Sequence, residues 1–423
     1  MKKFFTSALL LAVALSSCSK DVITNEVITS SDDGIVTINV TAAKTRGVDI
    51  TTTALENSES GVKLHIIDSG SDDALTNDAY DFTASSSDWS QTSETTLKWS
   101  DIDFPSNFYS MHDGTSQSLS VGNGEATLSY TVTGNSTDHK DLVYHASTLS
   151  SIPSGGTINV FHKHALSKIN FYAGTGGNKA YIAKVSLVNV DGEGEVTIKP
   201  VDSSELSTAS GVSWDNGASN NNTFLYYAIE TTIPTALQST VTTSATTNPI
   251  VTSDASAPLM ILPQETTGAT AAQIATAAGI SAITGSYIEV IYYLTDSLDT
   301  PLVGYSAVSI LSDANTYINE DQTKTLYVKA AFPLTADFDA NYEYNITLGL
   351  GMSGSTGGLL ITDNYVDKGG NNITLTKKDT STSTTPTIPE IDTGDEILGD
   401  GDDDIDIVVS VNSWDAGDDS SLD

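Results

Sequence analysis

The chain has almost no cysteine and almost no arginine. Of its 423 residues one is cysteine, Cys18, and one is arginine, Arg46. Without a second thiol the chain cannot form an internal disulfide framework, and beyond Cys18 it has no thiolate chemistry. Positive charge is scarce as well, with 18 Lys and Arg against 54 Asp and Glu and a formal net charge of -36. A field of this sign repels nucleic acid and anionic membrane, so we expect neither as a partner.

Long apolar runs are missing after the first residues. Residues 4–15 form an apolar stretch behind two lysines, too short to span a bilayer and typical of a secretory signal. The stretch ends in Leu-Ser-Ser-Cys at 15–18, which resembles the lipobox of bacterial lipoproteins. We therefore expect a signal peptide at 1–18, lipidation at Cys18, and processing by signal peptidase II and the lipoprotein export machinery on the way through the periplasm to the outer membrane.

Helix-forming residues are sparse, and short β-branched runs recur between clusters of Thr, Ser, Gly, Asn and Asp. This composition predicts an all-β fold, which we divide into β-sandwich domains at 47–200 and 201–351. Strand candidates include Val62–Ile67 and Asn107–Met111, with none predicted between them. The following residues, 352–404, are rich in Thr and acidic residues, which predicts an extension or tether.

Two stretches alternate apolar and polar residues. Val36, Ile38 and Val40 fall on one face of the first, and the second runs from 405 to 414 with its apolar residues at Ile405, Ile407, Val409 and Val411, ending at Trp414. Either strand could fill the same groove. An arginine-specific protease would have a single target, the bond between Arg46 and Gly47, and would cut the first strand from the body. Our hypothesis is that 19–46 is a propeptide with a removable strand and that 405–414 is a donor strand from a neighbouring molecule.

This arrangement resembles the fimbrillins, the major fimbrial subunits, or type V pilins, of certain Gram-negative anaerobes. Besides the lipobox, the strand before Arg46 and the terminal strand, the resemblance is carried by residues 141–144, 161–169, 259–264 and 342–348. It implies two transthyretin-like sandwich domains, acylation at Cys18, cleavage after Arg46, and donation by the apolar residues of 405–414. It also implies a head-to-tail filament of identical or related subunits, an extracellular fimbria that supports adhesion, and only transient membrane contact through the lipid. The stretch 352–404 is longer and more acidic than the family pattern, which leaves the donor segment open.

Other chemistry has weaker signals. His162 and His164 lie two apart on a predicted strand and, with His139 and His145, could approach a zinc site; the alternative is that they are satisfied inside the sandwich. The acidic run at 400–406 lacks the glycine and glutamate of a calcium loop in either register. No hydrolase or phosphate-binding motif is present. We therefore expect no enzyme activity, no catalytic residue, no metal and no cofactor.

The aromatic residues leave one alternative function. Trp89, Trp99, Trp214 and Trp414, with seventeen tyrosines, could include a carbohydrate platform, although such residues are more often part of a core. The second hypothesis is therefore a membrane-anchored surface lipoprotein that binds glycans without polymerising. A third is a secreted metal-dependent enzyme.

Overall fold

The structure is a computed structural model. It describes residues 34–42, 52–68, 79–85, 88–174, 178–201, 211–217, 222–228, 237–238, 248–250, 258–276, 282–296, 298, 301–304, 317–318, 325–350, 358–373, 376–377, 397 and 407–413. Several residues with predicted roles lie outside this set: Cys18, Arg46, Gly47, Ile405 and Trp414. The acidic run at 400–406 lies outside it as well.

The regular secondary structure of the described residues is almost entirely β-strand, which confirms the all-β prediction. The first thirteen strands are β1 (Thr37–Ala42), β2 (Val62–Asp68), β3 (Tyr80–Ser85), β4 (Asp88–Gln91), β5 (Ser106–His112), β6 (Ser120–Gly122), β7 (Glu125–Thr131), β8 (Val143–Leu149), β9 (Thr157–His164), β10 (Ser167–Gly174), β11 (Lys179–Val190), β12 (Glu193–Ile198) and β13 (Val212–Asp215). Helices within the same residues are short: α1 (Thr52–Glu56), α2 (Ala271–Thr276) and 3-10 turns at Trp99–Asp101 and Ser136–Asp138. None has the length and apolarity needed to cross a bilayer.

The later strands complete the chain. They are β14 (Asn222–Ala228), β15 (Leu237–Gln238), β16 (Asn248–Pro249), β17 (Leu259–Ile261), β18 (Gln264–Thr266), β19 (Tyr287–Thr295), β20 (Pro301–Val303), β21 (Tyr317–Ile318), β22 (Val328–Pro333), β23 (Ala336–Phe338), β24 (Tyr342–Gly349), β25 (Leu359–Leu360), β26 (Thr376–Lys377) and β27 (Ile407–Ser413).

A seven-stranded sheet with the order β1-β9-β8-β5-β2-β3-β4 encloses the first core. Its two edges meet, because β1 contacts β4 and the chain just after β4 hydrogen-bonds to the start of β1. The strands alternate apolar and polar residues, so one face of the curled sheet points inward. The inward cluster contains Leu64, Phe82, Trp99, Phe108 and Val160, all buried.

A larger core lies between the remaining sheets. It is bounded by the sheets β16-β10-β24-β27, β14-β11-β19-β22-β25 and β13-β12-β7-β6. The buried apolar residues that form it range in sequence from Ile67 to Ile373. Strand β10 pairs with β24, and β11 pairs with β19, whereas β12 pairs with β7. Strands that precede residue 200 therefore share sheets with strands from both sides of it.

The first part of the predicted tether belongs to the packed body. Strand β25 pairs with β22, and Tyr365, Val366 and Ile373 are buried. Val366 and Tyr327 also exchange two backbone hydrogen bonds of 2.9 Å. Residues 358–373 are therefore packed, because a few well-placed apolar residues are enough to dock a segment whose overall composition is that of a linker.

Candidate functional site

Strand β1 fills a slot in the wall of the first core. Val36, Ile38, Val40 and Ala42 point inward and are 1%, 4%, 1% and 7% exposed, whereas the residues between them are exposed. The strand pairs in parallel with β9 along its full length and stands at the end of the sheet order. Its inward side chains join the cluster that includes Trp89, Trp99 and Ile158. The three residues predicted to form the removable strand thus complete a core built by the rest of the sheet.

Both ends of the strand are held by residues outside β9. At the start, Val36 N donates to Leu97 O at 3.1 Å and Trp99 N donates to Gly34 O at 3.0 Å. At the far end, Ala42 N donates to Thr52 Oγ1 at 2.9 Å. Residues 42 and 52 are therefore adjacent in space, and Arg46 and Gly47 lie in sequence between them. A cut at that bond would leave β1 held only by non-covalent contacts.

β1 carries the same four residues as the strand beside it. Thr37, Ile38, Asn39 and Val40 lie directly opposite Thr157, Ile158, Asn159 and Val160. On the outer face Thr37 Oγ1 lies 2.8 Å from Thr157 Oγ1 and donates to Gly156 O at 3.0 Å, while Asn39 donates to Asn159 at 3.3 Å. Pairs of this kind stabilise a register. The alternation of apolar and polar residues does not indicate these pairs, although the shared tetrapeptide Thr-Ile-Asn-Val is visible in the sequence.

The slot becomes polar at its far end. Ala42 lies opposite His162, which is fully buried, with its Nε2 atom 3.1 Å from Ser110 Oγ. The ring of His145 lies 6.4 Å from that of His162. Burial lowers the pKa of His145 to about 4, because the charged imidazolium would lose its hydration, and it holds the pKa of His162 well below its ordinary value. The end of the slot is thus buried, polar and uncharged, and the residue that lies there in β1 is an alanine.

The predicted donor strand lies on its own body. β27 pairs antiparallel with β24 over seven residues, from Tyr342 opposite Ser413 to Leu348 opposite Ile407, and forms the edge of its sheet. Ile407 and Val409 are half-buried against the larger core. Val411 is 51% exposed. β27 therefore presents three aligned apolar residues and leaves one of them largely in water.

His139 and His164 also make hydrogen bonds inside the fold. His139 accepts from Met260 N at 2.9 Å, and its other ring nitrogen lies 2.7 Å from Thr133 O. The buried His164 lies 2.8 Å from Asp141 through Nδ1. Across the part of the chain that the structure describes, no three His, Cys, Asp or Glu side chains are arranged to hold a metal. Packing and hydrogen bonding account for the histidine motif.

The tryptophans within the described residues do not form a surface platform. Trp89 and Trp99 are 8% and 3% exposed and belong to the core that β1 completes. Trp214 is half-buried and donates to Ala165 O at 2.9 Å. Trp89 and Trp99 are therefore core residues, and Trp214 is held to the backbone of a neighbouring segment.

Comparison with known proteins gives structural similarity only. A scan against protein-family models finds no match, and a search of curated proteins finds none either. Similar solved structures include putative cell adhesion proteins from Bacteroides ovatus (10% identity, 82% of this chain and 97% of that chain, TM-score 0.35) and from Bacteroides eggerthii (11%, 91% and 97%, 0.36). The tip fimbrial protein Mfa3 from Porphyromonas gingivalis, with a C-terminal truncation, also matches (9%, 82% and 100%, 0.28). Because these TM-scores are low, the proposals below rest on the residues of this chain.

Proposed function

We propose that this chain is a structural subunit of a bacterial surface fimbria that polymerises by strand exchange. It is exported as a precursor acylated at Cys18 and is cut between Arg46 and Gly47. Strand β1 then leaves its slot, and residues 405–414 of a neighbouring subunit replace it. The observation that carries this proposal is that β1 lies at the end of its sheet order and that its inward side chains, with that of Val36 just before it, complete the core, four residues in sequence before the only arginine.

Tethering accounts for the timing of assembly. Burying Val36, Ile38 and Val40 contributes roughly 1.5–3 kcal/mol for each side chain. While β1 is covalently attached, its effective concentration at the slot exceeds that of a strand on another molecule. Cleavage removes this advantage but leaves the contacts, so the incoming strand displaces β1 by competing for the same pockets.

The position of β27 supplies the second half of the exchange. In its own molecule it gains one row of backbone hydrogen bonds and buries Ile407 and Val409 only in part. A slot that encloses an inward row on all sides would also bury Val411. Because the donated strand and the slot are different surfaces, each added subunit presents a new donor, and the contact propagates into a filament. The proposal assigns this chain no catalytic step.

The test is the N-terminal residue of protein sheared from the cell surface, measured by mass spectrometry for wild type, Arg46→Ala and the matched control Lys44→Ala. We expect wild type and Lys44→Ala to begin at Gly47 and to form filaments, and Arg46→Ala to stay an unpolymerised lipoprotein. If all surface protein instead began at a lipidated Cys18, strand exchange would be excluded, and a membrane-anchored binding protein would be the better explanation.

A further inference from the structure

Two features of the slot limit which strand can enter it and in which direction. The first three inward positions hold the β-branched residues Val36, Ile38 and Val40. The fourth holds Ala42 and lies opposite the buried His162. A replacement strand must therefore place three β-branched residues first and a small, uncharged residue last.

The space at the fourth position is closed on several sides. His162 is fixed by Ser110 and packed beside His145. Thr52, on helix α1, bonds to the backbone of Ala42 from the other side. A larger side chain would have to displace a ring that is 0% exposed, and forcing extra methyl groups into a packed core is destabilising. A carboxylate there would be buried without a cationic partner.

We propose that β27 of a second copy enters this slot parallel to β9, with Ile407, Val409, Val411 and Ser413 in the places of Val36, Ile38, Val40 and Ala42. This inference rests on the proposed strand exchange and specifies its register and its direction. On the exposed face, Val408, Ser410 and Asn412 then take the places of Thr37, Asn39 and Thr41.

Other placements fail at the fourth position. A parallel strand displaced by two residues puts either Val411 or Asp415 opposite His162. An antiparallel strand puts Ile407 or Ile405 there. Placing the even-numbered residues inward would bury Ser410, together with either Asp406 or Asn412, at the apolar positions. Only the proposed register puts β-branched residues at the first three positions and a small residue at the fourth.

Disulfide trapping distinguishes these registers. In the proposed register, residue 412 lies opposite Phe161; in the antiparallel placement centred on the same residues, it lies opposite Thr157. Directly opposed positions on paired strands are about 5 Å apart, which a disulfide spans. The test variants are Phe161→Cys with Asn412→Cys and, as the matched control, Thr157→Cys with Asn412→Cys. If Cys18 is removed by processing, neither mature chain has another thiol.

We expect filaments from both variants and a covalent ladder of subunits on a non-reducing gel only from the 161 and 412 pair. A ladder from the 157 and 412 pair would overturn the direction. Filaments without either ladder would overturn the register or the donor segment while leaving strand exchange intact. An absence of filaments even in wild type would refute strand exchange and this inference with it.

Size variants test the pocket independently. Ser413→Leu is expected to reduce filament formation roughly tenfold or more, because leucine does not fit opposite His162. Ser413→Ala should assemble as wild type does, and Ser410→Leu, which places the same side chain on the exposed face, should also assemble. Equal assembly of Ser413→Leu and Ser410→Leu would show that residue 413 does not occupy the pocket.

Discussion

Strands β1 and β27 are both edge strands with alternating β-branched residues, yet they are held very differently. β1 and Val36 just before it have four inward side chains that are almost fully buried. β1 also has a parallel partner of identical sequence over four residues, and hydrogen bonds to other segments hold both ends. β27 has one partner strand, two half-buried apolar residues and one that is 51% exposed. Strand pattern alone therefore does not set how tightly a strand is bound; enclosure by neighbouring walls does.

The largest difference should come from an inward charge. Val40→Asp places a carboxylate at a site that is 1% exposed, and an unpaired buried charge costs about 3–5 kcal/mol. Val411→Asp, at the half-exposed position of β27, should change the free energy of unfolding by less than about 1 kcal/mol. Urea unfolding of the uncleaved chain measures both, with Thr41→Asp on the exposed face of β1 as the control. Equal losses at Val40 and Val411 would remove the distinction between the strands.

Removing methyl groups gives a smaller contrast. Ile38→Ala should lower the free energy of unfolding by about 3 kcal/mol, because the side chain is enclosed and leaves a cavity. Val409→Ala should cost about 1 kcal/mol, since the side chain is only partly buried. Thermal or urea unfolding of the two variants in parallel tests this order. A larger loss at Val409 would mean that β27 is the better-anchored strand.

Acid should weaken the packing around the slot. The pKa of His145 is lowered by burial to about 4, below the ordinary value near 6.5. Between pH 6.5 and 4 the unfolded chain therefore takes up a proton that the folded chain does not, and stability falls as the pH falls, by roughly 1.4 kcal/mol per pH unit for this histidine. Below about pH 4 both forms are protonated, and this contribution levels off.

The measurement is urea unfolding across this pH range, followed by tryptophan fluorescence, since Trp89 and Trp99 report on the slot. His145→Asn keeps an acceptor for Phe161 N and should reduce the pH slope. His139→Asn, away from the slot, is the control: burial also lowers its pKa to about 4, so it should change the overall slope without changing how readily β1 is released. The release is measured as the displacement of β1 from cleaved protein. If the release of β1 were insensitive to acid in both wild type and His145→Asn, protonation of His145 would not control how tightly the slot holds β1.

The side-chain ladder should have the smallest effect. Asn39→Ala removes the exposed hydrogen bond to Asn159, and such a bond is worth about 0.5 kcal/mol here because water competes for both groups. In the double variant with Asn159→Ala, the loss in the free energy of unfolding should be no greater than the sum of the losses in the two single variants. A strong coupling between the two substitutions would instead show that the ladder sets the affinity of the slot for its strand.

Several elements followed from the sequence because their signal is local. The period-two pattern at Val36, Ile38 and Val40 predicted the strand and the face that carries its apolar residues. Strands at Val62–Ile67 and Asn107–Met111 were also predicted and correspond to β2 (Val62–Asp68) and β5 (Ser106–His112), although β5 is buried at every position and so shows no single inward face. Strands β3 and β4 at Tyr80–Ser85 and Asp88–Gln91 were not predicted. Their sequences are rich in Asp, Ser and Thr, and their pairing with β2 and with each other is what makes them strands.

The sequence by itself determined an all-β chain with a single arginine after one amphipathic strand and a similar strand near its end. Only the tertiary structure decided that β1 lies in parallel against an identical tetrapeptide 120 residues later, as the register of Thr37 with Thr157 shows. It also decided that Ala42 lies opposite a buried histidine and that residues 358–373 are packed. The reason is physical: alternation is set by neighbouring residues along one strand, whereas a pocket is formed by side chains from several strands that are distant in sequence.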